Sequence, residues 1–291
     1  MTTKEGSAVD RPGLARELAE RLGRIDGVLA VVLGGSQARG DADPKSDIDL
    51  GIYYHPERPP SLDALRALAG EMDDQHRAEA VTAFGDWGPW INGGAWLDIQ
   101  GVRVDWLYRD VAKVEQTISD CRQGHWTANY QPGHPHSFNS YIYMGEAHIA
   151  RPLFDANGIF ARLQALTTPY PEALAKSIVQ RFAWEAGFAL ETSHKAIERG
   201  DVYYVTGCAF RAVSTMIQVL FALNGRYCIN EKRSLSLVDD FPLAPTRFSA
   251  IVTEALASLG ADASHLRSRV EALEALAAET RALCRARFPE L

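Results

Sequence analysis

The sequence predicts an α/β domain with a small mixed β-sheet and flanking helices, followed by an all-α helical bundle domain. A short apolar run at residues 28–33 ends in two glycines, and a second strand alternates cleanly from residue 47 to 53. A hairpin pattern surrounds Gln100-Gly101. After residues 167–171, Thr-Thr-Pro-Tyr-Pro, the apolar residues recur at helical spacing almost to the end. We therefore expect two domains, residues 1–168 and 169–291.

Helices are predicted on both sides of the first strand. Asp10 is a good N-cap, and leucines at helical spacing lead to a helix that ends near Gly27. Ser61 caps a second helix with an apolar face, and Asp110 caps a third. Residues 149–154 form a further short strand.

The second domain reads as four helices. Two long ones cover residues 172–199 and 202–223, one shorter helix ends near Gly260, and a last one covers 265–287. The helix at 202–223 is apolar nearly all round, which predicts the centre of the bundle and packing positions for Tyr203 and Tyr204.

Composition restricts the class of protein. The net charge of −7 argues against a broad DNA-coating surface, although it leaves room for RNA held in a local basic groove. No apolar run reaches about 18 residues, so we expect no transmembrane helix. The N-terminus lacks the apolar core of a signal peptide. The four cysteines are scattered and read as reduced structural thiols, which is typical of a cytoplasmic protein.

The chemistry is concentrated at the glycine turn and the strand after it. Gly34 and Gly35 let the backbone approach a bulky anion, and Ser36 adds a hydroxyl donor. Asp47 and Asp49 lie two residues apart on a strand, so their carboxylates point to the same side. Two carboxylates so placed repel each other unless a cation lies between them.

This motif resembles the signature of the DNA polymerase β-like nucleotidyltransferase superfamily, which adds a third acidic residue on a distant strand. Here that residue is Asp105, with Asp98 as the alternative. The resemblance implies that Asp47, Asp49 and Asp105 hold two Mg²⁺ ions, with Asp105 on the ion nearer the acceptor. It also implies that Gly35 and Ser36 hold the terminal phosphates of a nucleoside triphosphate, with ATP as the favoured donor.

The helical domain resembles the C-terminal bundle of antibiotic-modifying adenylyltransferases, such as the aminoglycoside and lincosamide enzymes. The stretch from Leu223 to Arg233 carries this likeness, which implies Lys232 as a triphosphate ligand. Relatives place a general base on the bundle, and Glu185 or Glu191 could take that role. A solvent-facing position is the ordinary alternative for each of these residues.

Several neighbours of the motif are further candidates. Arg39 could reach a phosphate or pair with Asp41, and Lys45 and Ser46 flank the carboxylates as candidate phosphate ligands. His134 and His136 do not suit a zinc site but could face an acceptor pocket. Four tryptophans could stack on an adenine or a sugar, although packing is the ordinary role of each: Trp87, Trp90, Trp96 and Trp126.

The sequence therefore predicts a Mg²⁺-dependent enzyme that moves AMP from ATP to a hydroxyl of a small molecule and releases pyrophosphate. An aminoglycoside- or lincosamide-like antibiotic is the favoured acceptor. Two alternatives remain open. One is nucleotidyl transfer to tRNA or a protein hydroxyl, which needs a continuous basic groove. The other is a non-catalytic nucleotide-binding module, which should lack a metal carboxylate. No membrane partner is expected.

Overall fold

The computed structural model describes residues 9–40, 42–43, 46–260 and 262–291. The helices are α1 (Arg11–Gly23), α2 (Gly35–Arg39), α3 (Leu62–Met72), α4 (Gly88–Ile91), α5 (Val111–Arg122), α6 (Ile142–Ile149), α7 (Ile159–Ala165), α8 (Glu172–Ile197), α9 (Val202–Leu223), α10 (Ser234–Val238), α11 (Phe248–Ala257) and α12 (Ala263–Arg287). The strands are β1 (Val28–Leu33), β2 (Ile48–Tyr54), β3 (Gly94–Ile99), β4 (Val102–Asp110), β5 (Ala128–Asn129), β6 (Phe138–Asn139) and β7 (Arg151–Phe154).

The chain divides into two compact units. The first comprises the chain up to Ile118 together with Tyr143–Thr168, and the second comprises Ser119–Ile142 and Pro169–Leu291. The predicted boundary between residues 168 and 169 coincides with a point at which the chain passes from the first unit to the second. Residues 119–142, which we placed in the first domain, lie instead in the second unit.

Long-range contacts explain where that segment lies. The Trp126 indole donates to the Ser177 hydroxyl at 3.0 Å, and the Tyr141 hydroxyl donates to Gln218 Oε1 at 2.6 Å. Both partners belong to helices of the second unit. Because buried polar groups need partners, these bonds fix the segment there.

The first unit is built on a five-stranded mixed sheet of order β3-β4-β2-β1-β7. β2 and β4 are parallel, and the other neighbours are antiparallel. Helices α1 and α3 pack on one face, where leucines such as Leu18 and Leu65 meet Leu50 and Ile52 in a single core. The opposite face carries the polar residues of β2, β3 and β4.

Local signals account for most of these elements. Asp10 accepts a bond from the Gly13 amide at 3.0 Å and Ser61 one from the Ala64 amide at 3.3 Å, as the N-cap predictions require. The β3–β4 turn holds Gln100 and Gly101 at φ of +54° and +72°, the left-handed conformations of a two-residue hairpin.

The second unit is a helical bundle centred on α9, whose residues from Ala212 to Leu223 are buried. Among the described residues, α9 is also the one helix long and apolar enough to cross a membrane, but 72% of its apolar window is buried. Its first turn differs from the prediction, because Tyr203 is 92% exposed. All four cysteines are unpaired, and burial raises the pKa of the Cys121 thiol to about 12.

Candidate active site

The polar face of the sheet aligns two of the predicted carboxylates. β2 and β4 pair in parallel with Asp49 opposite Asp105. Ile48, Leu50 and Ile52 are at most 1% exposed on the other face, so alternation directs Asp49 to the polar face. Asp47 precedes β2 by one residue and takes the same side by this alternation. The register places Asp49 and Asp105 on one face, and the metal-binding roles of the three carboxylates stay predictions.

The glycine turn lies against Asp49. The Gly34 amide donates to the Asp49 carbonyl at 2.8 Å. Gly35 has a φ of +56°, and a Cβ built there would lie 1.8 Å from Asp49 Oδ2. Gly35 therefore combines a left-handed backbone with close approach to a carboxylate, and both conditions favour glycine. Ser36 follows in α2, which is little more than one turn long.

The loop before β2 holds Ser46 in a structural role. Its hydroxyl accepts a bond from the Asp43 amide at 2.9 Å, and Arg11 donates to its carbonyl. Arg39, at the end of α2, is exposed. The candidates Asp41 and Lys45 lie outside the described residues. The phosphate roles of Ser46 and Arg39 stay predictions.

Asp98 and Asp105 occupy different environments on the hairpin. Asp98 Oδ2 accepts a bond from Arg77 at 3.0 Å, and Arg77 also bonds Asp73, whose side chain is fully buried. The Arg77 hydrogen bonds hold the pKa of the Asp73 carboxyl well below its usual range. Asp105 lies one strand closer to Asp49 than Asp98 does. This position favours Asp105 over Asp98 as the third acidic residue.

The carboxylates border a surface pocket of about 350 Å³ at the β3 side of the sheet. Its lining comprises Asp47, Arg77, Trp96, Leu97, Asp98, Arg103 and Asp105. Three carboxylates and two guanidinium groups make it polar, while one indole provides an apolar surface. Trp96 is 62% exposed and packs on the loop residue Trp87, with ring centroids 4.4 Å apart, so it lies outside the core.

Oxygen donors on one face are the ligand set that Mg²⁺ prefers. Within the described ranges, however, no group of three or more His, Cys, Asp or Glu side chains is gathered closely enough to hold a metal ion. The chemistry of these oxygen donors fits Mg²⁺, but among the described residues their placement does not form a ligand cluster.

The second unit contains a separate polar cluster around Glu185. Arg211 Nε donates to Glu185 Oε1 at 2.6 Å, while the buried Oε2 has no hydrogen-bond partner among the described residues. His136 packs on Phe182, one helical turn before Glu185, and burial together with Arg211 lowers its pKa to about 4. His136 is therefore a neutral imidazole near neutral pH.

The other second-unit candidates are placed as follows. Lys232 is exposed, with its amide bonded to Asn230 Oδ1 at 2.8 Å, and Glu191 is exposed on α8. Glu231 anchors the His-Pro-His loop by accepting from the His136 amide at 3.1 Å and contacting His134 Nδ1 at 3.2 Å. Sequence reasoning missed Arg211 and Glu231. An arginine within an otherwise apolar helix was the available signal for Arg211.

Residues 15–84 match the family model of the nucleotidyltransferase domain. This stretch contains the glycine turn, Asp47 and Asp49, whereas Asp105 lies beyond it. Residues 143–232 match a domain of unknown function, DUF4037. The first match supports the predicted superfamily, a general nucleotidyl transfer activity and a nucleoside triphosphate substrate.

Among solved structures, the chain is similar to a nucleotidyltransferase-like protein from Exiguobacterium sibiricum 255-15. The two are 10% identical, with a TM-score of 0.44 over 95% of this chain and 77% of that one. No curated protein matches the chain. The predicted fold class is confirmed, since a mixed α/β nucleotidyltransferase domain is combined with a helical region.

Proposed function

We propose that the protein transfers AMP from ATP to a hydroxyl group of a small molecule and releases pyrophosphate. The observation that carries this proposal is the register of Asp49 and Asp105 on adjacent strands, with Gly35 packed against Asp49. In the reaction the acceptor oxygen forms a bond to the α-phosphorus. The bond between the α-phosphorus and the oxygen that bridges it to the β-phosphorus breaks, and pyrophosphate leaves. The acceptor proton leaves to a base.

Asp47, Asp49 and Asp105 are the residues that would hold Mg²⁺ ions, of which the proposal needs two. When bound, these ions neutralise triphosphate charge and lower the pKa of the acceptor hydroxyl. The chain contributes the alignment of these carboxylates. β2 and β4 fix Asp49 and Asp105 in register through backbone hydrogen bonds, which a strand maintains more precisely than a loop does.

The glycine turn supports the phosphate part of the proposal. Gly35 keeps the backbone of the turn beside the Asp49 carboxylate, with no side chain between the two. A triphosphate bound by the turn would therefore lie next to the carboxylates that hold its counter-ions. The Ser36 hydroxyl adds a donor for a phosphate oxygen.

Glu185 is the proposed base, and Lys232 the proposed further phosphate ligand. Arg211 donates to Glu185 Oε1, and the buried Oε2 has no hydrogen-bond partner among the described residues. These two roles rest on the resemblance to antibiotic adenylyltransferases and are tested separately, by Glu185→Gln and Lys232→Met.

The direct test is incubation of the whole chain with ATP labelled at the α-phosphate, Mg²⁺ and a panel of acceptors. The panel contains aminoglycosides, lincosamides, tRNA and bulk protein. We expect label on a small molecule. Label on tRNA or protein alone would refute the small-molecule acceptor class. If no member of the panel became labelled, the proposed activity would be refuted.

A matched pair of variants ties the activity to the site. Asp49→Asn should lower the transfer rate by about 100-fold or more, because a lost metal carboxylate removes several kcal/mol of charge stabilisation. Asp63→Asn is the control, since the Asp63 side chain is 95% exposed on α3 and lies away from the polar face. Equal rates for the two variants would contradict the assignment.

A further inference from the structure

A surface groove of about 420 Å³ lies between α8 and α12, near the C-terminal end of α12. Residues of the second unit alone line it, and none of the residues proposed for nucleotidyl transfer is among them. The two family matches end at residues 84 and 232, so α12 lies outside both. The volume of the groove falls within the usual range for small-molecule pockets.

The groove has an apolar floor and one flat wall. Val179, Cys284 and Phe288 are almost fully buried at the floor. Trp184 forms the wall and is 52% exposed, and its ring contacts Phe188 with centroids 5.6 Å apart. A half-exposed indole beside buried apolar side chains is a surface suited to stacking with a planar ring.

Two arginines of α12 supply positive charge to the groove. Arg281 and Arg285 are four residues apart, so they lie on the same side of the helix. Both side chains are exposed, and neither forms an ion pair or a hydrogen bond with another described residue. Their N–H groups are therefore available to donate to a ligand.

Gly187 on α8 accommodates the guanidinium group of Arg281. A Cβ built on Gly187 would lie 3.3 Å from Nη1, 3.5 Å from Cζ and 3.6 Å from Nη2 of Arg281. These nearly equal distances show that the flat face of the guanidinium group covers Gly187. The N–H bonds lie in the plane of the group, so they are directed along the surface of α8 and not into it.

Glu290 limits the negative charge that the groove can accept. It lines the groove, and its Oε1 lies 2.9 Å from the Lys176 amine. The same amine also binds Glu172 at 2.9 Å, so the cluster of these three residues keeps one net negative charge. A ligand with two negative charges, such as a phosphate monoester, is therefore repelled more strongly than a carboxylate is.

We propose that this groove binds a small aromatic monocarboxylate. The carboxylate accepts hydrogen bonds from Arg281 and Arg285, because the planar N–H fork of a guanidinium group matches a carboxylate in geometry. The aromatic ring stacks on Trp184 and covers the apolar floor. This binding site goes beyond the proposed function, and it binds its ligand without ATP or Mg²⁺.

Isothermal titration calorimetry on the whole chain, without ATP or Mg²⁺, measures the binding of naphthalene-2-carboxylate. For a ligand of this size we expect a Kd of about 1 mM or below. Three further probes each change one feature of the ligand. Naphthalene-2-carboxamide lacks the charge, octanoate lacks the aromatic ring, and AMP carries a phosphate in place of the carboxylate. Each of the three should bind more weakly by about tenfold or more.

Variants locate the binding in the groove. Arg281→Gln, Arg285→Gln and Trp184→Ala should each weaken the binding of naphthalene-2-carboxylate by about tenfold. Arg267→Gln is the matched arginine control, because Arg267 is an exposed, ion-paired residue of α12. Trp96→Ala is the tryptophan control, because Trp96 is exposed in the first unit. Both controls should bind the ligand as the wild type does.

Circular dichroism checks that the variants stay folded, and if Trp184→Ala does not, the two arginine variants decide. The proposal is overturned if naphthalene-2-carboxylate shows no saturable binding up to about 10 mM. It is also overturned if any of the other three probes binds as tightly, or if Arg281→Gln and Arg285→Gln bind the ligand as Arg267→Gln does.

Discussion

Replacing Gly35 by alanine tests the geometry of the site most sharply. The new Cβ would start 1.8 Å from Asp49 Oδ2, so the carboxylate oxygen must move by about 1.6 Å to reach an ordinary contact of 3.4 Å. Catalytic groups tolerate roughly 0.5 Å of displacement, and a misplacement of about 1 Å lowers rates by about 100-fold. We therefore expect Gly35→Ala to lose at least that factor in AMP transfer.

The backbone contributes a second, separable effect. A left-handed conformation destabilises a non-glycine residue by about 1–2 kcal/mol. Gly101 has a φ of +72° with no atom within 4 Å of its built Cβ, so Gly101→Ala carries the backbone effect alone. Urea unfolding should show Gly101→Ala destabilised by the backbone effect and Gly35→Ala destabilised at least as much, because Gly35→Ala adds the contact with Asp49. Pyrophosphate release should be lost in Gly35→Ala and kept in Gly101→Ala.

The adjacent glycine sharpens the comparison. A Cβ on Gly34 would lie 3.8 Å from Asp49, an ordinary contact, and the Gly34 backbone is extended. Gly34→Ala should therefore match the wild type in urea unfolding. If Gly35→Ala transferred AMP as fast as Gly101→Ala does, the close approach of the turn to Asp49 would not matter for activity and the reasoning would be refuted.

Three further predictions concern the carboxylates, a buried ion pair and His136. Asp105→Asn should lower pyrophosphate release more than Asp98→Asn does, because Asp105 lies opposite Asp49 on the neighbouring strand. A larger loss in Asp98→Asn would indicate that Asp98 is the third acidic residue. Arg109 and Glu146 form a bidentate pair with both contacts at 2.9 Å and the arginine almost fully buried, so Glu146→Gln should destabilise the protein by about 3–5 kcal/mol in urea unfolding. Asp26→Asn, which breaks an exposed pair with Arg58, is its control and should change stability by less than about 1 kcal/mol. The pKa of His136 is lowered to about 4, so the unfolded chain binds more protons between pH 4 and 6.5 and stability falls as the pH falls through that window. His136→Gln should reduce this loss in pH-dependent unfolding, and an unchanged pH profile would contradict the low pKa.

Local sequence signals predicted most of the fold. The alternation of residues 47–53 predicted both the strand and its two faces. Side chains alternate between the faces with a period of two, so an entirely apolar set of alternate residues must face the core. The uninterrupted apolar pattern of α9 predicted its bounds, Val202–Leu223, and its central position. Residues 119–142 were misassigned because their partners, such as Ser177 and Gln218, are distant in sequence.

Sequence spacing predicted some members of the candidate site and left others undecided. The spacing of Asp47 and Asp49 predicted that their side chains share one face of a strand. Spacing does not distinguish Asp98 from Asp105, because both lie on one face of the hairpin. The parallel pairing of β2 with β4, which places Asp105 opposite Asp49, distinguishes them. The stacking of Trp96 on Trp87 agrees with loop packing, but the 62% exposure of Trp96 was not predictable, because the sequence gives residue type and not exposure. The bond between Glu185 and Arg211 joins two helices, and helical periodicity does not specify which faces meet.

The central claim is that the carboxylate row catalyses attack at the α-phosphorus of a nucleoside triphosphate. The most direct measurement supplies ATP labelled at the α-phosphate or, in a parallel reaction, at the γ-phosphate, with Mg²⁺ and the same panel of acceptors. The account predicts the α-label on the acceptor and the γ-label in pyrophosphate. Transfer of the γ-label to the acceptor, or transfer of the α-label that is as fast in Asp49→Asn as in the wild type, would contradict it.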